Sequence, residues 1–237
     1  MKFALVDGKK LEAIKGATGV CPICGSELTA KCGEVKINHW AHKVNRNCDP
    51  WWENETYWHR SWKNKFPIDW QEVIHFDESG EKHIADVKTN NEWVIEFQHS
   101  YINPDERRAR NAFYRKLIWV IDGTRRKRDV EQFEKALKKG TPIPTKSPVL
   151  RLFSDECTLL KEWSDCHVPV FFDFGDERVL WYLLDGNSKG SAYVAMIPRA
   201  YFIEVNTGGM TQKACNFEKF VKDINVIISE YEKYLRA

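Results

Sequence analysis

His83-Ile84-Ala85-Asp86-Val87 and Trp93-Val94-Ile95-Glu96-Phe97-Gln98, with Asn90-Asn91 between them, decide how this chain is read. Two short apolar runs around a polar break predict two strands of one hairpin, with Asn90-Asn91 as the turn. Side chains alternate along a strand. Val94, Glu96 and Gln98 therefore share one face, and Trp93, Ile95 and Phe97 share the other, which is expected to be the buried one. Ile84, Asp86 and Lys88 share a face of the first strand. Two carboxylates among Val, Ile and Phe are costly to bury without a partner. A hard divalent cation such as Mg2+ removes that cost, and Asp86 and Glu96 are its candidate ligands. The competing reading makes Glu96 a solvent-facing residue of an edge strand.

Working outward, the hairpin is preceded by an aromatic stretch. Trp51, Trp52, Tyr57, Trp58 and Trp62 belong to a segment expected to be helical from Asp49 to about Pro67, followed by a strand at about 68–76. On such a helix Glu55, His59 and Lys63 share a face at four-residue spacing. Glu55 is then a further metal ligand or a group that orders water, and His59 a proton carrier near neutral pH. An exposed pair at helical spacing is the plain alternative.

After the hairpin, Asn103 as N-cap, Pro104 at the first position and Asp105-Glu106 in the first turn mark a new helix to about Lys116. Leu117-Ile118-Trp119-Val120-Ile121 reads as a strand covered on both faces. Helix, three strands, helix, strand is the plan of an α/β sandwich. A helix at 129–139 and a Pro-rich linker at 140–148 follow. Beyond it an α+β C-terminal region is expected, with strands near 168–174, 179–184 and 193–197. A last helix at 216–235 carries an apolar stripe that includes Phe217, Phe220 and Ile224.

Upstream lies a different chemistry. Cys21-Pro22-Ile23-Cys24-Gly25 is a zinc-knuckle pattern whose two thiolates reach one ion. Of the candidates downstream, His42 and Cys48 complete the site, with His39 the rival ligand and Cys32 the weakest. Four protein ligands leave no open position, so the Zn2+ is expected to be structural. A short hairpin around Asp7-Gly8 precedes the knuckle.

Bulk properties agree with a globular protein. The 237 residues are 43% apolar, with ten Trp and a formal net charge of +2. Seven Cys, an odd number, favour reduced thiols with a metal over a disulfide framework. No signal peptide or membrane-spanning stretch is evident, so a cytoplasmic protein without a membrane partner is expected. Basic residues bunch at Arg107–Lys116 and at Arg125–Arg128, as a nucleic-acid surface or as solvated faces.

Taken together, several elements resemble the competence protein CoiA-like family, whose core is a PD-(D/E)xK nuclease fold. They are the Cys21–Gly25 knuckle, His39-Trp40-Ala41-His42-Lys43, Cys48, and Glu53-Asn54-Glu55-Thr56 with His59 and Lys63. Ile84-Ala85-Asp86-Val87, Glu96-Phe97-Gln98-His99-Ser100, and Arg110 with Tyr114 complete the match, which runs from about residue 18 to 121. The resemblance implies a zinc-binding module (1–48) and a restriction-endonuclease-like α/β/α domain (49–140), while leaving 149–237 without a role. It makes Asp86 and Glu96 the acidic positions of a nuclease using Mg2+ or Mn2+, and puts Gln98 where most members have Lys. Gln orients water by hydrogen bonds but carries no charge; Lys63 or Lys88 is the candidate replacement. Arg110 and Tyr114, with Lys63, are candidate contacts to DNA, single- or double-stranded. The competing function is a DNA-binding recombination factor that keeps the fold without useful cleavage. A protein partner for the C-terminal region belongs to either reading.

Overall fold

The computed structural model describes residues 1–44, 48–51, 53–143, 149–184 and 190–208, and Lys219, Lys222, Asp223, Val226, Glu230 and Lys233 beyond them. The chain forms two compact units, Met1–Lys116 and Leu117–Ala237. Both mix helices and strands. Among the described residues no helix is long and apolar enough to cross a membrane.

The first unit begins with five strands, β1 (Phe3–Val6), β2 (Lys9–Glu12), β3 (Thr18–Val20), β4 (Glu27–Lys31) and β5 (His39–His42). They form one antiparallel sheet in the order β2-β1-β3-β4-β5. The expected hairpin at Asp7-Gly8 is present; both residues have positive φ, which suits the twist of a two-residue turn. Leu28, Trp40, Ala4 and Cys21 form the core of this module.

Helix α1 (Tyr57–Lys63) is much shorter than the expected 49–67. Thr56 caps it: its Oγ1 accepts from the His59 backbone, while the Thr56 N–H donates back to the His59 ring. The capping box fixes the start at Tyr57 and leaves Glu55 outside the helix. Residues 68–70 form a 3-10 turn, so the next strand starts later than expected.

β6 (Gln71–Phe76), β7 (Lys82–Lys88) and β8 (Val94–Gln98) run as an antiparallel meander. The β7–β8 turn is longer than Asn90-Asn91 alone: Thr89 donates to the Trp93 carbonyl, and Glu92 is left-handed. All five β8 residues are buried. The competing reading is therefore excluded: β8 is covered on both faces, and Glu96 is not a solvent-facing edge residue. α2 (Pro104–Phe113) has the expected start, with Asn103 capping Asp105, but ends at Tyr114, whose backbone is extended.

The second unit contains β9 (Leu117–Asp122), α3 (Lys127–Lys139), β10 (Thr141–Pro142), β11 (Val149–Phe153), α4 (Thr158–Trp163), β12 (Val170–Asp173), β13 (Val179–Leu183), β14 (Ser191–Pro198) and α5 (Arg199–Thr207). Its strands are ordered β10-β11-β14-β13-β12-β9, antiparallel except for β9 and β12. β9 is buried throughout, as its continuous apolar run requires. The three strands expected beyond the linker match β12, β13 and β14. Arg125 and Arg126 are not a free basic patch; they pair with Glu162 and Asp129. Residues 144–148 of the linker and the apolar stripe of the expected 216–235 helix lie outside the described residues.

Candidate metal centre and carboxylate site

The knuckle sits between β3 and β4. The Gly25 N–H donates to the Cys21 carbonyl at 2.9 Å, and left-handed Gly25 turns the chain so that both thiols face one point. His42 ends β5 and Cys48 follows it. The ligand atoms of Cys21, Cys24, His42 and Cys48 all lie within 4.8 Å of one another. Cys21 Sγ is 3.6 Å from Cys48 Sγ, and Cys24 Sγ is 3.4 Å from His42 Nε2. Bonds of about 2.0–2.3 Å to a tetrahedral zinc require such separations. Burial opposes ionisation of Cys24, but hydrogen bonds with Ser26 and His42 prevail and bring it down to about 6. Burial and the neighbouring Cys21 push Cys48 up to about 12. Crowded thiols of this kind fit a divalent cation, which removes their mutual repulsion. His39 is not part of the set: its Nδ1 donates to the Ile37 carbonyl. Cys32 instead donates to the Ala13 carbonyl.

A second cluster lines a cavity of about 70 Å³ in the same unit. Val87 faces Ile95 across β7 and β8, so Asp86 faces Glu96. The pair is joined by the backbone. The Asp86 N–H donates to Glu96 Oε1 at 3.3 Å, and the Phe97 N–H donates to Asp86 Oδ2 at 3.0 Å. Glu96 is 5% exposed. Burial, then the Asp86 charge, pushes its carboxyl up to about 8 despite Arg110 at 3.1 Å. Burial also raises Asp86, against the pull of Lys63 and His59.

Lys63, at the end of α1, is 2% exposed. Its ammonium lies 2.6 Å from Glu55, 2.9 Å from Glu72 and 3.7 Å from Asp86. Burial works against its charge, but these carboxylates outweigh it and raise its pKa. Lys88, the other candidate cation, pairs with Glu92 at 2.8 Å and does not line the cavity.

Gln98 donates to Glu53 Oε2 at 3.1 Å and to the Ser100 carbonyl at 3.2 Å. Glu53 accepts the Ser100 N–H at 2.6 Å and lies 3.3 Å from His59 Nε2. His59 is buried; desolvation lowers its pKa, yet Glu53 and Asp86 leave it raised.

Glu55 and His59 both line the cavity, although Glu55 precedes the helix and pairs with Lys63 and Arg60. Arg110 is buried between Glu96, Glu106 and the Trp51 carbonyl. Tyr114 does not join Arg110 on a helix face; it is 2% exposed and packs against Trp51, His75 and Phe113. A surface contact between Tyr114 and DNA is thereby corrected to a packing role.

Sequence reasoning gave no role to Glu53, Glu72 or Asp49. Glu53 is the hub between Gln98 and His59, and entered only as the first residue of the Glu53-Asn54-Glu55-Thr56 element. Asp49 accepts from His83 at 2.8 Å and from the Ile84 N–H at 2.9 Å, tying the stretch after Cys48 to β7. Glu72 interrupts an apolar strand as Asp86 does. Glu53, Glu55, Glu72, Asp86 and the buried Glu96 line the cavity together with Lys63, Arg110, His59 and the Met1 amino terminus.

Residues 4–50 match the family described as "Competence protein CoiA, N-terminal domain". The chain is also 26% identical over 144 residues to "Competence protein CoiA" of Bacillus subtilis (strain 168). That alignment covers 55% of this chain and 38% of the Bacillus protein, so the chain matches well under half of its relative's length. No solved structure matches. Both likenesses are to competence protein CoiA, and all four candidate zinc ligands fall within the matched residues 4–50.

Proposed function

We propose that the first unit carries the metal-dependent centre of a DNA nuclease that hydrolyses phosphodiester bonds. The observation that carries the reading is the cross-strand pair Asp86–Glu96, both pushed toward the protonated form in a cavity that also holds Lys63. The helix-meander-helix order α1-β6-β7-β8-α2 is compatible with a restriction-endonuclease-like core and supports the same reading. Asp86 and Glu96 are the residues that would hold Mg2+ or Mn2+. Such a cation supplies activation of water and neutralises charge developing on the phosphate.

The remaining work falls to this chain's own groups. The Lys63 ammonium stands beside Asp86 and supplies the positive charge that Gln98 lacks. Gln98 holds Glu53, and Glu53 holds His59. The Thr56 N–H donates to His59 Nδ1, which leaves the proton on Nε2, facing Glu53 and the cavity. In this reading His59 would give a proton to a leaving oxygen. Arg110 lines the cavity and would meet an entering phosphate there. The Cys21, Cys24, His42 and Cys48 centre would hold Zn2+ and keep the N-terminal module folded.

The experiment is incubation of purified protein with single- and double-stranded DNA and Mg2+ or Mn2+, beside Asp86→Ala. Cleavage lost in the variant supports the site; cleavage that survives in the variant refutes it. One observation favours the alternative of a DNA-binding recombination factor. The Gln98 amide nitrogen donates to Glu53 and Ser100, and Gln98 does not line the cavity of the Asp86–Glu96 pair. DNA binding without cleavage by the wild type would select that reading. Cytoplasmic location and a protein partner for residues 149–237 remain part of the proposal.

A further inference from the structure

We infer that Glu72, an acid with no assigned role, is a positioning residue that holds the Lys63 ammonium at the carboxylate pair. The inference rests on the nuclease reading of that pair and adds to it a residue from β6.

The register supplies the first argument. Gln71 faces Val87 and Val73 faces Ala85, so Glu72 lies across from Asp86, which in turn faces Glu96. Three carboxylates thus form one transverse row over three adjacent strands, and all three line the cavity. Like charges directly opposite one another are unfavourable unless a cation intervenes. Lys63 intervenes between the first two, at 2.9 Å from Glu72 and 3.7 Å from Asp86.

The second argument is backbone strain. Glu72 has φ +47° inside a strand. A non-glycine residue held there is strained and persists only where its surroundings fix it. Those surroundings are plain. The Lys2 N–H donates to Glu72 Oε1 at 2.7 Å and the Phe3 N–H donates to Oε2 at 3.0 Å. These two N–H groups clamp the carboxylate in one orientation, and the Lys63 charge, then the amino terminus, keep it ionised, at about 2, although burial opposes this.

The third argument is donor geometry. A lysine ammonium has three protons. Glu55 and Glu72 take two of them from fixed positions, and the third is left on the side of Asp86. Without Glu72, Lys63 keeps only Glu55 as a close anchor and is free to turn away.

The test uses the full chain with Glu72→Gln and Glu72→Asp. DNA cleavage is measured, and so is labelling of Lys63 relative to Lys88 by a water-soluble amine reagent, read by mass spectrometry at one pH. Loss of one charge-assisted hydrogen bond corresponds to about a tenfold change. Glu72→Gln should therefore lower kcat about tenfold with little change in KM, and raise relative Lys63 labelling about tenfold. Glu72→Asp should recover most of kcat. Unchanged Lys63 labelling in Glu72→Gln would overturn the inference, whatever happens to cleavage. A wild type that cleaves no DNA would remove the nuclease reading alone, and the labelling ratio would still decide the role of Glu72. Should Glu72→Gln not fold, Glu72→Gly relieves the left-handed backbone while removing the carboxylate. The same rise in Lys63 labelling is expected there, and its absence would overturn the inference.

Discussion

The Lys63 ammonium lies 3.7 Å from the Asp86 carboxylate, although the two residues come from different elements, the end of α1 and the middle of β7. On the proposed nuclease reading, the charge that Gln98 lacks comes from the helix before the meander, held by Glu55 and Glu72. Lys88, which shares a strand with Asp86, is engaged with Glu92.

The same geometry makes Lys63 a stability determinant. Removing one partner of a buried ionic cluster leaves the others uncompensated, at a cost of about 3–5 kcal/mol. Lys63→Met should lower unfolding stability by this amount in urea denaturation. A loss of about 1 kcal/mol or less would mean that Lys63 is solvated in solution and that the cluster does not form.

The pH dependence of metal stabilisation follows from Glu96. Its carboxyl titrates at about 8 when folded, against an ordinary value of 4.5. Between these values the folded protein binds more protons than the unfolded chain, so this group's contribution to stability falls as pH rises through the window. A divalent cation requires the ionised form and offsets that loss. The rise in melting temperature on adding Mg2+ should be larger above the window than at its acidic end, as measured by thermal shift. An equal rise at both ends would contradict the assignment.

Glu53 sets the proton affinity of His59. Its hydrogen bond and charge help raise the imidazole above its ordinary value, against burial. Glu53→Gln should lower the His59 midpoint in an NMR titration. A midpoint that stays in place would show that Asp86 alone governs it.

The metal centre makes a discriminating prediction among the cysteines and histidines. Cys24→Ser should abolish stoichiometric zinc, measured by elemental analysis, and melt the N-terminal sheet. His39→Ala and Cys32→Ser should retain the zinc. Zinc lost from His39→Ala would shift the ligand set to the rival histidine.

Some of this architecture was legible in sequence for physical reasons. Asp86 and Glu96 stand out because a carboxylate in an apolar strand must have a partner. The start of α2 is written in Asn103, Pro104 and two acids. Cys21, Cys24, His42 and Cys48 are local enough for spacing to limit the choices. The start of α1 was misplaced because the aromatic run around Trp51 resembles helical periodicity, while the Thr56 capping box overrides it. Glu72 was invisible because its meaning depends on register and on a left-handed backbone, neither of which has a local signature at a glutamate. The covering of β8 on both faces, and hence the raised carboxyl of Glu96, is likewise a tertiary property.

The central claim is that Asp86 and Glu96 together hold a divalent cation. Mn2+ binding followed by electron paramagnetic resonance, in protein already loaded with zinc, tests it without relying on turnover. The wild type should bind Mn2+ in competition with Mg2+, and Asp86→Asn and Glu96→Gln should each weaken it by about tenfold or more, as expected for loss of an inner ligand in a site with few protein carboxylates. Mn2+ binding of wild-type strength in both variants would contradict the account.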